Sequence, residues 1–497
     1  MMPQGRAAWA VLISTAALSL AAARPPAAAE APVAAVGLPP TPLLSVRRDP
    51  SWVEDRLVGQ QFPVRMAAAV AGQVGAPAGS PGCVVVAQNG QVLYAVDADA
   101  ELLPASNIKL LTATAVLDQL GPAFRYATAV EASEAPRGGA VEGNLYLVGG
   151  GDPFLMTAAY NASTFYPEPD YTSLDQLARA VRAAGVRRVA GSVVGVSSRY
   201  DSLIGVPTWS PEYLAEGDVG PLSALEVDDG ASPPPPPPPP STSTTTPTSS
   251  TTIPPSSPSE APPRPRTFAP TASAAALFAA RLRAAGVSVG GGSGTGFAPY
   301  APVVVASVQS PPLAAEVEQM LRVSDDTAAE LFTKELGRHA TGVGSTSAGT
   351  AAILQGLAKD GLVVSRAVMR DGSGLDRGDR ATCGLLVAVL ERAGPSGVIA
   401  AGLPVAGRSG TLSERFKGTP AAGRLRGKTG TLVDVAALSG FVVPASAPTP
   451  ELAAPVYYSI IVNGMPSRLS ASVVDRIATA VASYPDAVPL SVVGPRS

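Results

Sequence analysis

The chain has 497 residues, with 36 Lys and Arg against 39 Asp and Glu, so it is long enough for about two to four domains and close to electrically neutral. No long run of one sign could track a phosphate backbone or an anionic membrane, so nucleic acid is not an expected partner. A single histidine, His339, excludes a His-rich zinc site and leaves any Ser-His-Asp triad dependent on that one residue; it reads as a solvated position at a helix C-terminus, and no metal or cofactor is expected.

In chain order, Arg6 precedes an Ala/Leu/Val-rich stretch from Ala7 to Ala23 and small residues ending at Ala27-Ala28-Ala29. These are the charged, apolar and cleavage regions of a secretory signal, so 1–29 is expected to be removed on export to an extracytoplasmic space. The bland alternative is an uncleaved N-terminal anchor. Cys83 and Cys383 are the only cysteines, and an exported chain permits a disulfide between them; two separate buried thiols are the other reading.

Residues Cys83 to Ala95 read as two strands joined by Asn89-Gly90, and Ile108 to Leu120 as a buried helix. A strand-rich stretch follows from Tyr126 to Val227. From 231 to 270 the sequence collapses into Pro, Ser and Thr, with an unbroken proline run from Pro233 to Pro240, and is expected to be an extended, disordered insertion. Helical periodicity returns in Ala272 to Ala285, Leu313 to Leu336, Ser347 to Leu357 and Cys383 to Ala393. Ala437 to Val443 and Val456 to Val462 read as strands, and Leu469 to Ala482 as a last helix. Strands on both sides of a helical block imply an α+β domain whose two halves flank an insertion.

Three short motifs could carry chemistry. Ser106 and Lys109 open the Ile108 helix three residues apart, which places them on one face; a serine hydroxyl needs such a neighbouring base before it attacks. Ser324-Asp325-Asp326 opens another helix. Gly427-Lys428-Thr429-Gly430-Thr431 leads into a strand and offers a cation and hydroxyls to a substrate carboxylate, with Gly430 permitting close approach. Each has an ordinary explanation alone: an N-cap Ser with a surface Lys, an acidic first helical turn, a Gly-rich hairpin.

Together and in this order, the three resemble the signature of penicillin-recognising serine enzymes. The segments Gly143 to Pro153, Gly220 to Leu225 and Arg370 to Arg377 make the chain similar, from about Leu57 to Ala482, to the class C (type-4) low-molecular-weight penicillin-binding proteins, the D-Ala-D-Ala carboxypeptidases and DD-endopeptidases. The separation of about 218 residues between Ser106 and Ser324 sets this group apart from β-lactamases. The resemblance implies a transpeptidase-like fold, an antiparallel sheet with helices, in two parts at 30–125 and 305–485, with a β-rich insertion at 126–304 and a tail at 486–497.

It also implies roles. Ser106 is the acylated nucleophile, Lys109 its general base, and Ser324 a proton relay to the leaving D-Ala. Lys428 and Thr429 hold the terminal carboxylate, with Gly430 between them and Thr431, whose backbone N–H joins that of Ser106 in the oxyanion hole. Arg377 falls where relatives contact the peptide side chain's carboxylate. Peptidoglycan stem peptides are the implied substrate and β-lactams the covalent inhibitors.

Two positions depart from the pattern. Asp326 stands where relatives carry Asn; an ionised Asp only accepts hydrogen bonds and favours the charged form of Lys109, making it a weaker base. Val196 stands where an acidic residue helps hold an ammonium in relatives, which puts a diaminopimelate preference in doubt. The competing reading is a catalytically weak relative that serves as a peptidoglycan-binding module.

Overall fold

The computed structural model describes residues 51–75, 79–164, 170–231, 266–445 and 453–485. The expected signal segment 1–29, the tail 486–497 and all but the ends of the Pro/Ser/Thr-rich segment lie outside them.

The first described element is helix α1 (Ser51–Val70), whose Val58, Phe62, Met66 and Val70 recur every four residues and are buried. Strands β1 (Gly82–Gln88) and β2 (Gln91–Val96) then form the expected hairpin. Asn89 and Gly90 at its tip have φ of +53° and +73°, the left-handed values that this tight turn requires. A short 3₁₀ turn (Ala105–Asn107) leads into α2 (Ile108–Leu120), buried over most of its length.

The inserted part begins with β3 (Ala127–Ala132) and β4 (Leu145–Val148), followed by α3 (Leu174–Ala183), β5 (Val193–Val196), the short α4 (Glu212–Glu216), α5 (Pro270–Ala284), β6 (Ser293–Thr295) and β7 (Val303–Gln309). Its five-stranded sheet runs β6-β5-β4-β3-β7. The last strand pairs antiparallel with the first, Gln309 opposite Ala127, and so carries the inserted sheet past residue 304. Helices α3 and α5 close one face with Leu174, Leu177, Val181, Phe278 and Leu282 against Val130, Leu147 and Val193. The middle of the chain is thus mixed rather than simply strand-rich. The two ends of the Pro/Ser/Thr-rich segment meet, Ala231 bridging to Arg266.

The chain returns through α6 (Leu313–Val323), α7 (Asp326–Thr341), α8 (Thr346–Lys359) and α9 (Cys383–Ala393), then strands β8 (Leu425–Leu432), β9 (Val435–Val442) and β10 (Val456–Asn463) and helix α10 (Ser467–Ala482). The helical periodicity over Leu313 to Leu336 belongs to two helices, the second opening at Ser324-Asp325-Asp326 as those residues suggest. Ser324 caps α6 in the left-handed region (φ 66°) and Asp325 starts α7 by accepting a hydrogen bond from the Ala328 N–H, so polar capping overrides continuous apolar periodicity.

The main sheet is antiparallel, ordered β8-β9-β10-β1-β2, and helices cover both faces. Alternation along β1 explains the layers: Cys83, Val85 and Ala87 point to the core shared with α2, α6, α7, α8 and α9, while Val84 and Val86 point to the core shared with α1 and α10. Each fully buried Val or Leu contributes about 1.5–3 kcal/mol relative to exposure. Cys83 and Cys383 form a disulfide with Cα atoms 6.0 Å apart, tying β1 to the first residue of α9. The order leaves β8 on an edge of the sheet, beside the start of α2 and the break between α6 and α7.

Candidate active site

Ser106 sits on a turn that is fixed from several sides. The Asn463 side chain accepts from the Leu103 N–H (2.9 Å) and donates to the Leu103 carbonyl (3.0 Å). One residue beyond the serine, the Asn107 amide donates to Ser439 Oγ at 3.0 Å. Ala105 is held at φ 48°, an uncommon conformation for a residue with a Cβ, and such strain persists where surroundings over-determine it. Two glycines let neighbouring backbone approach it: a Cβ on Gly430 would lie 2.7 Å from the Pro104 carbonyl oxygen, and one on Gly374 would lie 2.1 Å from that of Ala105.

Lys109, on the same face of α2, is fully buried. Its Nζ donates to Ser106 Oγ (3.0 Å), Asp326 Oδ1 (2.6 Å) and the Ser373 carbonyl (2.7 Å), so all three ammonium protons would have acceptors. Burial pushes the Asp326 carboxyl up, opposed by Lys109 and then Lys428. Next to it, Asp325 is pushed up to about 7 by burial and the nearby Asp229.

The break between α6 and α7 brings Ser324 to the opposite side, where its Oγ accepts a hydrogen bond from Lys428 Nζ at 2.7 Å. Lys428 also donates to the Thr429 carbonyl at 2.8 Å, and burial, with Lys109 nearby, holds its amine well below the usual lysine range. The edge position of β8 turns Thr429 and Thr431 toward a cleft of about 750 Å³ that Ser106, Ser324, Asp326, Tyr213 and Thr411 also line. The expected nucleophile, base, relay and carboxylate-binding residues therefore come together in one place.

Arg377 is 57% exposed and ion-paired at 2.9 Å with Asp434 in the β8–β9 turn; Leu375 and Val433, close to the two in sequence, line the cleft. Val196 is buried on β5. His339 is exposed in the last turn of α7, as its sequence context suggests.

Two further groups had no separate signal in the sequence. Glu330, one turn beyond Asp326 on α7, is fully buried and its Oε1 accepts from the N–H groups of Gly372 and Ser373, both at 2.8 Å. The same two residues present their carbonyls to α2: Gly372 to Thr112 Oγ1 at 2.8 Å, Ser373 to Lys109. Glu330 thus fixes an acceptor of the Lys109 ammonium; burial and the neighbouring Asp371 push its carboxyl up to about 8. Thr411, in a Gly-rich turn, has its hydroxyl 2.8 Å from that of Thr429.

Comparison with known proteins gives the same picture at the level of family and fold. A D-alanyl-D-alanine carboxypeptidase from Actinomadura sp. (strain R39) is 32% identical over 456 residues, 81% of this chain and 80% of the relative. A carboxypeptidase from Mycobacterium tuberculosis is 30% identical over 73% of each chain. The crystal structure of penicillin binding protein 4 from Haemophilus influenzae superposes with a TM-score of 0.64 at 20% identity, covering 83% of this chain and 97% of that one, and shares its fold of antiparallel sheet and helices. With matches to its sequence pattern over residues 67–257 and 248–484, the chain belongs to the D-Ala-D-Ala carboxypeptidase 3 (S13) family.

Proposed function

We propose that this serine-type D-Ala-D-Ala carboxypeptidase hydrolyses the terminal peptide bond of peptidoglycan stem peptides through an acyl-enzyme on Ser106, and that the same chemistry extends to DD-endopeptidase cleavage of cross-links. The observation that carries it is Lys109 Nζ at 3.0 Å from Ser106 Oγ, with a second Ser–Lys pair, Ser324 and Lys428, across the same cleft.

The chemistry follows from those distances. Lys109 takes the Ser106 proton as Oγ attacks the carbonyl of the penultimate D-Ala. The N–H groups of Ser106 and Thr431 stabilise the oxyanion; Gly430 supports this by letting β8 run close to Ser106, a Cβ there lying 3.2 Å from the Ser106 N atom. Ser324, with the depressed amine of Lys428 behind it, passes a proton to the departing D-Ala nitrogen. Water then attacks the ester. Lys428 and Thr429 hold the substrate's terminal carboxylate. A β-lactam offers a strained amide to the same serine and forms the same kind of ester.

Lys109 needs a free amine to act as base. Burial pushes the Asp326 carboxyl up, opposed by Lys109 and then Lys428, so this carboxyl gives up its proton less readily than an ordinary Asp. A protonated Asp326 can also donate a hydrogen bond into the cleft, as the Asn of relatives would. The second reading, a weak relative that mainly binds peptidoglycan, is favoured by the 2.6 Å contact of Lys109 with Asp326 if the two are charged. Family membership and the Cys83–Cys383 disulfide support action outside the cytoplasm; among the described residues, no helix is long and apolar enough to cross a membrane.

Mass spectrometry after incubation with a penicillin tests the reading. A stable adduct on the Ser106 peptide, absent from Ser106→Ala, together with release of D-Ala from an acyl-D-Ala-D-Ala peptide, is the expected result. No adduct and no release from the wild type would leave the binding module.

A further inference from the structure

Thr411 has no part in the three motifs, yet its hydroxyl meets the one hydroxyl assigned to the substrate carboxylate. Its position is built rather than incidental. Gly410 takes φ 53°, and a Cβ there would lie 2.2 Å from the Arg322 carbonyl oxygen, so the 3₁₀ turn Gly410–Leu412 sits directly against the end of α6, two residues before Ser324. The Ser409 hydroxyl ties the start of that turn by accepting from the Val405 N–H at 3.0 Å. Thr411 is thereby registered on Ser324 and on β8 together, with Thr411 Oγ1 and Thr429 Oγ1 2.8 Å apart on the wall of the cleft.

A threonine hydroxyl has one proton and two acceptor positions, so within this pair one group donates and the other keeps its proton for another acceptor. An anion in the cleft decides the direction: Thr429 donates to the carboxylate and Thr411 donates to Thr429. Hydroxyls linked in this way polarise one another, and the gain is larger toward a charged acceptor than toward a neutral amide oxygen. We propose that Thr411 is a specificity-determining positioning residue, which acts through Thr429 to make the enzyme select substrates with a free C-terminal carboxylate.

This inference rests on the acyl-enzyme reading above, and the experiment separates the two. Wild type, Thr411→Val and Thr411→Ser are compared on a pair of thioesters that differ only at the end of the leaving group, N-benzoyl-D-alanyl-thioglycolate and its carboxamide, with kcat/KM as the readout. The bond removed joins two neutral hydroxyls and reaches the anion through Thr429, so Thr411→Val is expected to lose about five- to tenfold on the carboxylate and less than about threefold on the carboxamide. Thr411→Ser, which keeps the hydroxyl, is expected to stay within about threefold of wild type on both. Thr411→Ala makes the same comparison if the valine variant does not reach the wild-type Tm.

Equal losses on both thioesters would overturn the inference in favour of a general packing role, and no loss would overturn it outright, in each case with acylation of Ser106 intact. If the wild type turns over neither thioester and takes no penicillin adduct, the acyl-enzyme reading falls and this inference with it.

Discussion

At Asp326 a single atom's proton decides what Lys109 can do. The carboxyl is 2.6 Å from the amine, its side chain 16% exposed against none for the lysine, so the charge on one bears directly on the other. Asp326→Asn removes the choice, because an amide leaves Lys109 no carboxylate to pair with. If Asp326 already carries the proton, the second-order rate of acylation by a penicillin is expected to stay within about threefold of wild type; a rise of about tenfold, equivalent to one unit of proton affinity, would show that an ion pair limits the enzyme. Residues of the three motifs were legible because their spacing alone places Ser106 beside Lys109. Glu330 and Thr411 were not. A Glu inside an amphipathic helix reads as a solvated position, and only the fold brings it to the 372–373 peptides more than forty residues away. A Thr after a Gly reads as a turn, and its partner Thr429 lies on a strand that pairing, not local pattern, puts at the edge.

Elements place these residues, and β8 does so through one missing side chain. Gly430 runs against the Ser106 turn with backbone, not a movable side chain, as its nearest neighbour. Gly430→Ala would push the strand outward by an ångström or so, and misplacement on that scale can cost about 100-fold in a positioned reaction. The expected outcome is a fall of at least about tenfold in penicillin acylation, with Lys428 and Thr429 still present in the strand; a rate equal to wild type would mean that β8 relaxes freely. The hairpin at Asn89-Gly90, helix α2 and strands β9 and β10 were readable from turn chemistry and period. The start of α7 was readable from Ser324-Asp325-Asp326, but the left-handed backbone with which the same serine ends α6 leaves no mark in composition. Helix α3, with Ser173 as its N-cap and Leu174, Leu177 and Val181 on one buried face, was passed over because short strands flank it on both sides.

For the molecule as a whole, buried carboxyls set how stability responds to pH. A Glu titrates near 4.5 in the unfolded chain, whereas Glu330 is pushed up to about 8 in the folded one. Between these values the folded state holds a proton that the unfolded state lacks, so stability falls as pH rises through this window. Asp325, at about 7 against an ordinary 3.8, works in the same direction over a narrower range. Lys428 opposes them, since its depressed amine makes the unfolded chain the better proton binder up to 10.5. Glu330→Gln isolates one contribution: the fall in Tm between pH 5 and pH 8 is expected to be smaller in the variant, as read by thermal scans at each pH, and an unchanged slope would remove Glu330 from this account. Fold class was visible in the order of elements. The meeting of β3 with β7 was not, because it pairs strands separated by the whole insertion.

Bridged ends have one more consequence. Ala231 and Arg266 lie side by side, and the Thr267 N–H donates to the Gly230 carbonyl at 2.9 Å, so whatever joins them starts and finishes at one spot on the surface. Closing such a loop costs free energy that grows only with the logarithm of its length. Replacing residues 232–265 by a tight turn is therefore expected to leave the rate of Ser106 acylation unchanged and to raise the Tm by no more than a few degrees, since each halving of length saves only about 0.6 kcal/mol, as scans and adduct kinetics would show. By the same reasoning, this spot is an internal fusion port: a reporter or a wall-binding module whose own ends lie close together could be grafted there without touching either terminus or the catalytic cleft.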